Sequence, residues 1–288
     1  MDNLCYLNGG IVSLEDAHIS LQDRGILYGD GLFETIRVYD GKPFLLEKHI
    51  GRMSASASAL DIEMPGSVEE INNAVSSLLS ANRVKDGSLR MTLTRGAGMQ
   101  GLWPWQKGKS TFFITSNSNI PYSSELYREG FKVALISFPL NEYSPQAAHK
   151  TLNFLDYLWG RREAEKRGFQ EGIFLNQKRY LAEGTVSNLF LLKGEVLYTP
   201  PLEAGVLPGI TRELILNIAA ELVEVKEENI PPSWLREATE VFLTNSLMEI
   251  MPVVKVETQP VNTGEPGLLT GRLRRLYRDY VQSEQGGS

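Results

Sequence analysis

Two tight-turn signals near the start of the chain constrain its fold most. Asn8-Gly9-Gly10 separates the apolar runs 4–7 and 11–14, and Asp40-Gly41 separates 34–39 from 43–46. Asn, Asp and Gly accept the positive φ that a two-residue hairpin turn requires, so both places read as antiparallel hairpins. Residues 49–60 then read as a helix. A second helix is opened by the capping box Ser67-Val68-Glu69-Glu70 and runs to about Ala81 with Ile71, Val75, Leu78 and Leu79 on one stripe. Runs 89–94 and 111–115 return to strand character.

The apolar pattern breaks near 117–124, where Asn, Ser and Pro-Tyr cluster, which gives a first domain over 1–118, a linker over 119–124 and a second domain over 125–288. The second domain is also mixed. Strands are expected at 132–138, 172–175, 186–192, 195–198, 239–243 and 251–256, and helices at 153–166, 211–222 and 268–281. The expected class is therefore a two-domain α/β (α+β) protein.

A length of 288 residues is ample for two cores. A formal net charge of −6 argues against a nucleic-acid partner, and the single cysteine, Cys5, argues for a reducing, cytoplasmic setting. No stretch approaches the roughly 18 apolar residues of a membrane span, and no basic segment followed by an apolar run opens the sequence. His18, His49 and His149 lie too far apart in sequence to suggest a metal site, and none is expected.

The chemistry-bearing residues suggest a phosphate-bearing aldehyde cofactor, which needs a lysine for a Schiff base, an acid for its ring nitrogen and donors for its phosphate. Lys150 follows a strand and a loop just before a helix. Glu183 interrupts the start of an apolar strand in Leu181-Ala182-Glu183-Gly184-Thr185-Val186-Ser187-Asn188, where a carboxylate needs a partner. A pyridinium about 4 Å away, at an effective dielectric near 20, would be attracted by roughly 4 kcal/mol and would hold its proton at neutral pH. In Gly205-Val206-Leu207-Pro208-Gly209-Ile210-Thr211-Arg212 a loop breaks into a helix capped by Thr211, and free amides at such a start bind phosphate. Arg52 and Ser246 are further candidate donors. Each residue alone also has an ordinary reading: surface lysine, strand-edge acid, helix cap.

Taken together, Tyr28-Gly29-Asp30-Gly31-Leu32-Phe33-Glu34, His49-Ile50-Gly51-Arg52, Lys150-Thr151-Leu152-Asn153, Glu183 to Asn188, Gly209-Ile210-Thr211-Arg212 and Asn245-Ser246-Leu247-Met248 resemble, in order, the fold-type IV pyridoxal-phosphate family: the class IV aminotransferases and their lyase relatives. The resemblance implies a smaller α/β sandwich joined to a pseudo-barrel, as in D-amino-acid aminotransferases, with pyridoxal 5′-phosphate as cofactor, a small-molecule substrate and a homodimer. It implies that Lys150 carries the cofactor and moves protons, that Glu183 meets the ring nitrogen and that Leu207 backs the ring. Arg52, Ile210, Thr211 and Ser246 would grip the phosphate, and Ser187, Asn188, Gly209 and Asn245 would also bind the cofactor. Tyr28, Phe33, Arg95 and Asn245 are the candidate substrate residues.

Within the family, Thr244 to Met248 followed by Met251-Pro252-Val253 is most similar to 4-amino-4-deoxychorismate lyases, which implies release of 4-aminobenzoate and pyruvate in folate synthesis. A D-amino-acid carboxylate trap is not expected, because Phe33, Gln100 and Leu102 stand where that trap has Tyr, Arg and His. Thr35 replaces the Gly usual in branched-chain aminotransferases, although an aminotransferase acting on branched-chain or D-amino acids with 2-oxoglutarate remains the alternative. Gly96-Ala97-Gly98-Met99-Gln100-Gly101 matches a dinucleotide fingerprint, but Trp103-Pro104-Trp105 follows where that fingerprint needs a helix. Trp103 and Trp105 are expected in a lid or a dimer interface.

Overall fold

The structure is a computed structural model that describes residues 3–98, 101, 109–119 and 122–286. Gln100, Leu102, Trp103 and Trp105 lie outside the described residues. The chain divides into two compact units, Met1–Ile120 with His149–Asn153, and Pro121–Ala148 with Phe154–Ser288.

The first unit is a six-stranded antiparallel sheet. Its strands are β1 (Leu4–Leu7), β2 (Gly10–Ser13), β3 (Gly31–Tyr39), β4 (Lys42–Pro43), β5 (Gly87–Thr94) and β6 (Thr111–Asn117), in the spatial order β2-β1-β6-β5-β3-β4. Its helices are α1 (Arg24–Tyr28), α2 (Leu46–Ala59) and α3 (Val68–Asn82). Both hairpin turns form where the sequence places them, with φ of 47° and 107° at Asn8 and Gly9, and 47° and 78° at Asp40 and Gly41. The second hairpin is shorter than expected. β4 stops at Pro43, Leu45 turns the chain with a φ of 53°, and α2 begins at Leu46. The capping box at Ser67 and Glu70 is present in full.

Strand alternation gives the sheet two different faces. Leu32, Ile36 and Val38 of β3, Leu89, Met91 and Leu93 of β5, and Phe112 and Ile114 of β6 join Ile50, Met53, Ala57, Ile71, Val75 and Leu78 of the helices in one buried core. The other face carries Phe33, Thr35, Arg90 and Thr92, because β3 and β5 pair Phe33 with Thr92 and Thr35 with Arg90.

The second unit holds α4 (Ser124–Glu129), β7 (Phe131–Leu135), α5 (Leu155–Lys166), β8 (Glu171–Leu175), β9 (Leu181–Gly184), β10 (Asn188–Lys193), β11 (Val196–Thr199), α6 (Ile210–Ala220), β12 (Glu224–Glu227), β13 (Glu240–Asn245), β14 (Glu249–Val256), β15 (Gln259–Pro260) and α7 (Leu268–Gly286). The pairings β10-β13-β14-β7-β8-β9 return to β10, closing a six-stranded barrel that β11 and β12 extend. Val133, Ile173, Leu189, Leu191, Val241, Leu243, Met251 and Val253 belong to its main apolar cluster. A separate cluster of Ala134, Phe174 and Ala182 packs with Ala164 of α5. Among the described residues no helix is long and apolar enough to cross a membrane.

Three local expectations are corrected. The strand expected from residue 186 starts at Asn188 as β10 and is preceded by a separate strand, β9, that was not expected, because Gly184 N–H donates to Ser187 O at 2.6 Å and turns the chain between the two. The cap of α6 is Gly209, which places Thr211 second in the helix rather than at its cap. The segment carrying Lys150, expected in the second domain, belongs to the first unit: Phe33 N–H donates to Lys150 O and Leu152 N–H to Gly31 O, both at 2.9 Å.

Candidate active site

Lys150 lies on a short segment laced to the start of β3. Besides the two backbone bonds, Thr151 bridges Leu32, His149 Nδ1 lies 3.0 Å from Ser56 Oγ, and Asn153 Nδ2 donates to Gly29 O at 3.1 Å. The close approach needs a glycine at 31, where a Cβ would fall 2.6 Å from Leu93 O and 2.8 Å from Leu152 Cδ1. The half-buried Lys150 directs its Nζ to within 4.4 Å of the Phe33 ring centroid. The Arg90 guanidinium lies 3.8 Å from that same centroid, and burial lowers its affinity for the proton. An amine, a cation and an aromatic ring thus meet on the face of the sheet opposite the helix-packed core.

Arg52 has a different environment. Its Nε donates to Glu34 Oε1 at 2.8 Å and its Nη2 to Glu34 Oε2 at 2.6 Å, while His49 Nδ1 lies 2.7 Å from Oε2. Glu34 is only 1% exposed. Burial pushes its pKa up, yet the hydrogen bonds and charges of His49 and Arg52 prevail and hold it at about 2. His49 is shifted down, first by burial and then by the positive charges of Arg52 and Lys150, against the opposing pull of Glu34. A neutral imidazole donating through Nδ1–H fits both directions.

Arg95, a candidate substrate residue, is held within its own unit. Its guanidinium is clamped on Asp30, with Nε to Oδ2 at 2.8 Å and Nη2 to Oδ1 at 3.1 Å, and it also donates to Leu60 O and Asp61 O. Arg24 donates to the same Asp30 at 2.8 Å and stands 4.8 Å from the ring of Tyr28, which is itself 39% exposed.

The second unit gathers the remaining candidates by hydrogen bonding. Glu183, 4% exposed, accepts from Tyr157 Oη at 2.8 Å on Oε1, and from Leu207 N–H at 2.9 Å and Asn188 Nδ2 at 3.3 Å on Oε2. Asn188 also donates to Leu207 O at 2.9 Å, so it binds the acid and the loop before α6 into one piece. Gly209 lies against it, since a Cβ there would fall 2.0 Å from Asn188 Oδ1. Ile210 and Thr211 then form the first turn of α6, whose start carries no side-chain cap, and both are buried. Asn245 braces a turn. Its Oδ1 accepts from Leu247 and Met248 N–H, and its Nδ2 donates to Val186 O at 2.9 Å. The half-buried Ser246 is held in the turn so formed, and the same bond ties that turn to the loop carrying Ser187.

Residues 31–256 match the amino-transferase class IV family. The chain belongs to that family. It is 37% identical over 278 residues to the "Putative branched-chain-amino-acid aminotransferase" of Methanocaldococcus jannaschii, covering 95% of each chain. It is 36% identical over 291 residues to the aminodeoxychorismate lyase of Bacillus subtilis, covering 99% of this chain and 98% of that one. The T.th. branched-chain amino acid aminotransferase, solved with pyridoxamine 5′-phosphate, superposes with a TM-score of 0.90 at 29% identity, over 97% of this chain and 94% of that one.

This class IV enzyme is pyridoxal-phosphate-dependent, and its residues fit the cofactor. Among the described residues Ser187 Oγ is buried with no hydrogen-bond partner, as a site completed by a polar group leaves it. The start of α6 offers backbone amides suited to an anion. Glu183 is a buried acid already held by donors. Sequence reading missed Arg90, Tyr157 and the pairing of Glu34 with Arg52. Only the pairing had a signal of sorts, since Glu34, His49 and Arg52 all stood within quoted motifs.

Proposed function

We propose that the chain is a 4-amino-4-deoxychorismate lyase that releases 4-aminobenzoate and pyruvate. The observation that carries this reading is the meeting of the Lys150 amine and the Arg90 guanidinium at the ring of Phe33, 4.4 and 3.8 Å from its centroid. A flat face beside a cation suits a substrate that is itself a six-membered ring bearing carboxylates. The likeness to the B. subtilis lyase over nearly the whole length of both chains supports the same choice.

When bound, pyridoxal phosphate supplies an aldehyde that bonds to amines and a protonated ring that draws electrons from the adjoining carbon. The chain supplies the rest. Lys150 would carry the cofactor and, once its amine is released, take the proton from the amine-bearing carbon of the substrate. Departure of the enolpyruvyl group, which gains a proton to become pyruvate, then leaves an aromatic ring. Glu183 would hold the ring-nitrogen proton and Leu207 would back the ring. Arg52, Ser246 and the amides of Ile210 and Thr211 would hold the phosphate, with Ser187, Asn188 and Gly209 shaping that pocket. Phe33 and Arg90 would orient the substrate, beside Tyr28. On this reading the enzyme is a cytoplasmic homodimer, for which a free, buried Cys5 suits a reducing compartment.

A second reading, aminotransfer from a branched-chain or D-amino acid to 2-oxoglutarate, draws on the likeness to the M. jannaschii and T.th. proteins. The test is to incubate the holoenzyme with aminodeoxychorismate and no keto-acid acceptor. 4-Aminobenzoate and pyruvate should appear in equal amounts. Turnover only with an amino acid plus 2-oxoglutarate would establish the second reading instead.

A further inference from the structure

The acid expected beside the cofactor ring has a partner that no sequence motif marks. Tyr157 Oη donates to Glu183 Oε1 at 2.8 Å, on the opposite carboxylate oxygen from the one that Leu207 and Asn188 occupy. The phenol is fixed on its other sides. Its ring stacks on Phe154 at 4.7 Å with an interplanar angle of 16°, and meets the edge of Phe174 at 5.7 Å and 84°. Gly160, one turn further along α5, makes this possible, because a Cβ there would fall 2.4 Å from Phe174 Cζ. Small residue, aromatic brace and phenol thus form one packed unit that ends on the carboxylate.

We propose that Tyr157 is a positioning residue that sets how strongly Glu183 attracts the ring-nitrogen proton of the cofactor. A hydrogen bond donated to a carboxylate spreads its negative charge and makes it a weaker base. Glu183 held by Tyr157 therefore keeps the ring proton less tightly than the same acid without the phenol would. Burial, followed by the charge of Glu183, drives the pKa of Tyr157 upward, so that it remains a donor at every working pH. The inference rests on the reading of Lys150 and Glu183 given above, and goes beyond it by assigning control of ring protonation to a residue on α5.

The experiment uses holoenzyme reconstituted with pyridoxal phosphate labelled with 15N in the ring. Three proteins are compared: the unaltered chain, Tyr157→Phe, and the chain with 3-fluorotyrosine at position 157, which is a stronger donor of the same shape. The ring-nitrogen resonance should move toward its protonated value in Tyr157→Phe and in the opposite direction with fluorotyrosine. A purely structural role would leave it in place or displace it the same way in both, and either result overturns the inference. The parent reading is checked separately by borohydride reduction and peptide mass mapping of the unaltered protein. A cofactor not fixed to Lys150 there defeats that reading, whereas a cofactor fixed to Lys150 with an unmoved resonance defeats only the role of Tyr157.

Discussion

Replacing Glu34 by Gln removes the anion on which Arg52 and His49 converge. The carboxyl titrates at about 2 in the fold against an ordinary value of 4.5. That difference of about 2.5 units corresponds to roughly 3 kcal/mol of stability. At 1% exposure there is little solvent screening to reduce it. The sign follows from a depressed acid. Above pH 4.5 both folded and unfolded chains carry the charge and the stabilisation is complete, whereas between 4.5 and 2 only the unfolded chain takes up the proton and the stabilisation drains away. Urea unfolding of the wild type and Glu34→Gln should therefore differ by about 3 kcal/mol at pH 5 and by roughly half as much at pH 3. A gap that stays constant from pH 5 to pH 3 would refute the claim that the fold stabilises Glu34 as an anion, and with it the idea that Glu34 fixes the orientation of Arg52.

Gly209→Ala should push Asn188 away from Glu183 and Leu207, since the new methyl would lie 2.0 Å from Asn188 Oδ1. A loss of about 1–3 kcal/mol in unfolding free energy is expected, with weaker pyridoxal-phosphate binding measured by fluorescence titration. Arg90→Gln should leave borohydride labelling of Lys150 unchanged while raising KM for a carboxylate-bearing substrate roughly tenfold, as loss of a charge-assisted contact does. An unchanged KM would remove Arg90 from the substrate's surroundings.

What could be read from the sequence was what local chemistry decides. Asn8-Gly9 and Asp40-Gly41 allow few other backbones, and Ser67 with Glu70 satisfies a helix start without help from distant residues. The barrel was harder to see. Its closure depends on β9 meeting β10 across the Gly184–Ser187 turn, a pairing of only a few residues that a continuous apolar run conceals. The candidate site divides along the same line. Lys150, Glu183 and the α6 start stand in motifs, whereas Tyr157 reaches Glu183 only because α5 is packed on Phe174 by a buried glycine.

Arg90 and Arg95 show most clearly why the remainder needed coordinates. Both are arginines near the same glycine-rich loop, and sequence favoured the second. The β3–β5 register sets them apart: it places Arg90 opposite Thr35, diagonal to Phe33 and on the face that carries Lys150. A slip of one residue would have turned Arg90 into the helix-covered core. Arg95, just beyond the end of β5, is instead drawn onto Asp30 and the carbonyls of Leu60 and Asp61. With Arg90 and Phe33 orienting the substrate as proposed, substrate choice would be a property of sheet register, and substitutions that shift β3 against β5 should alter specificity even when every side chain near Lys150 is kept.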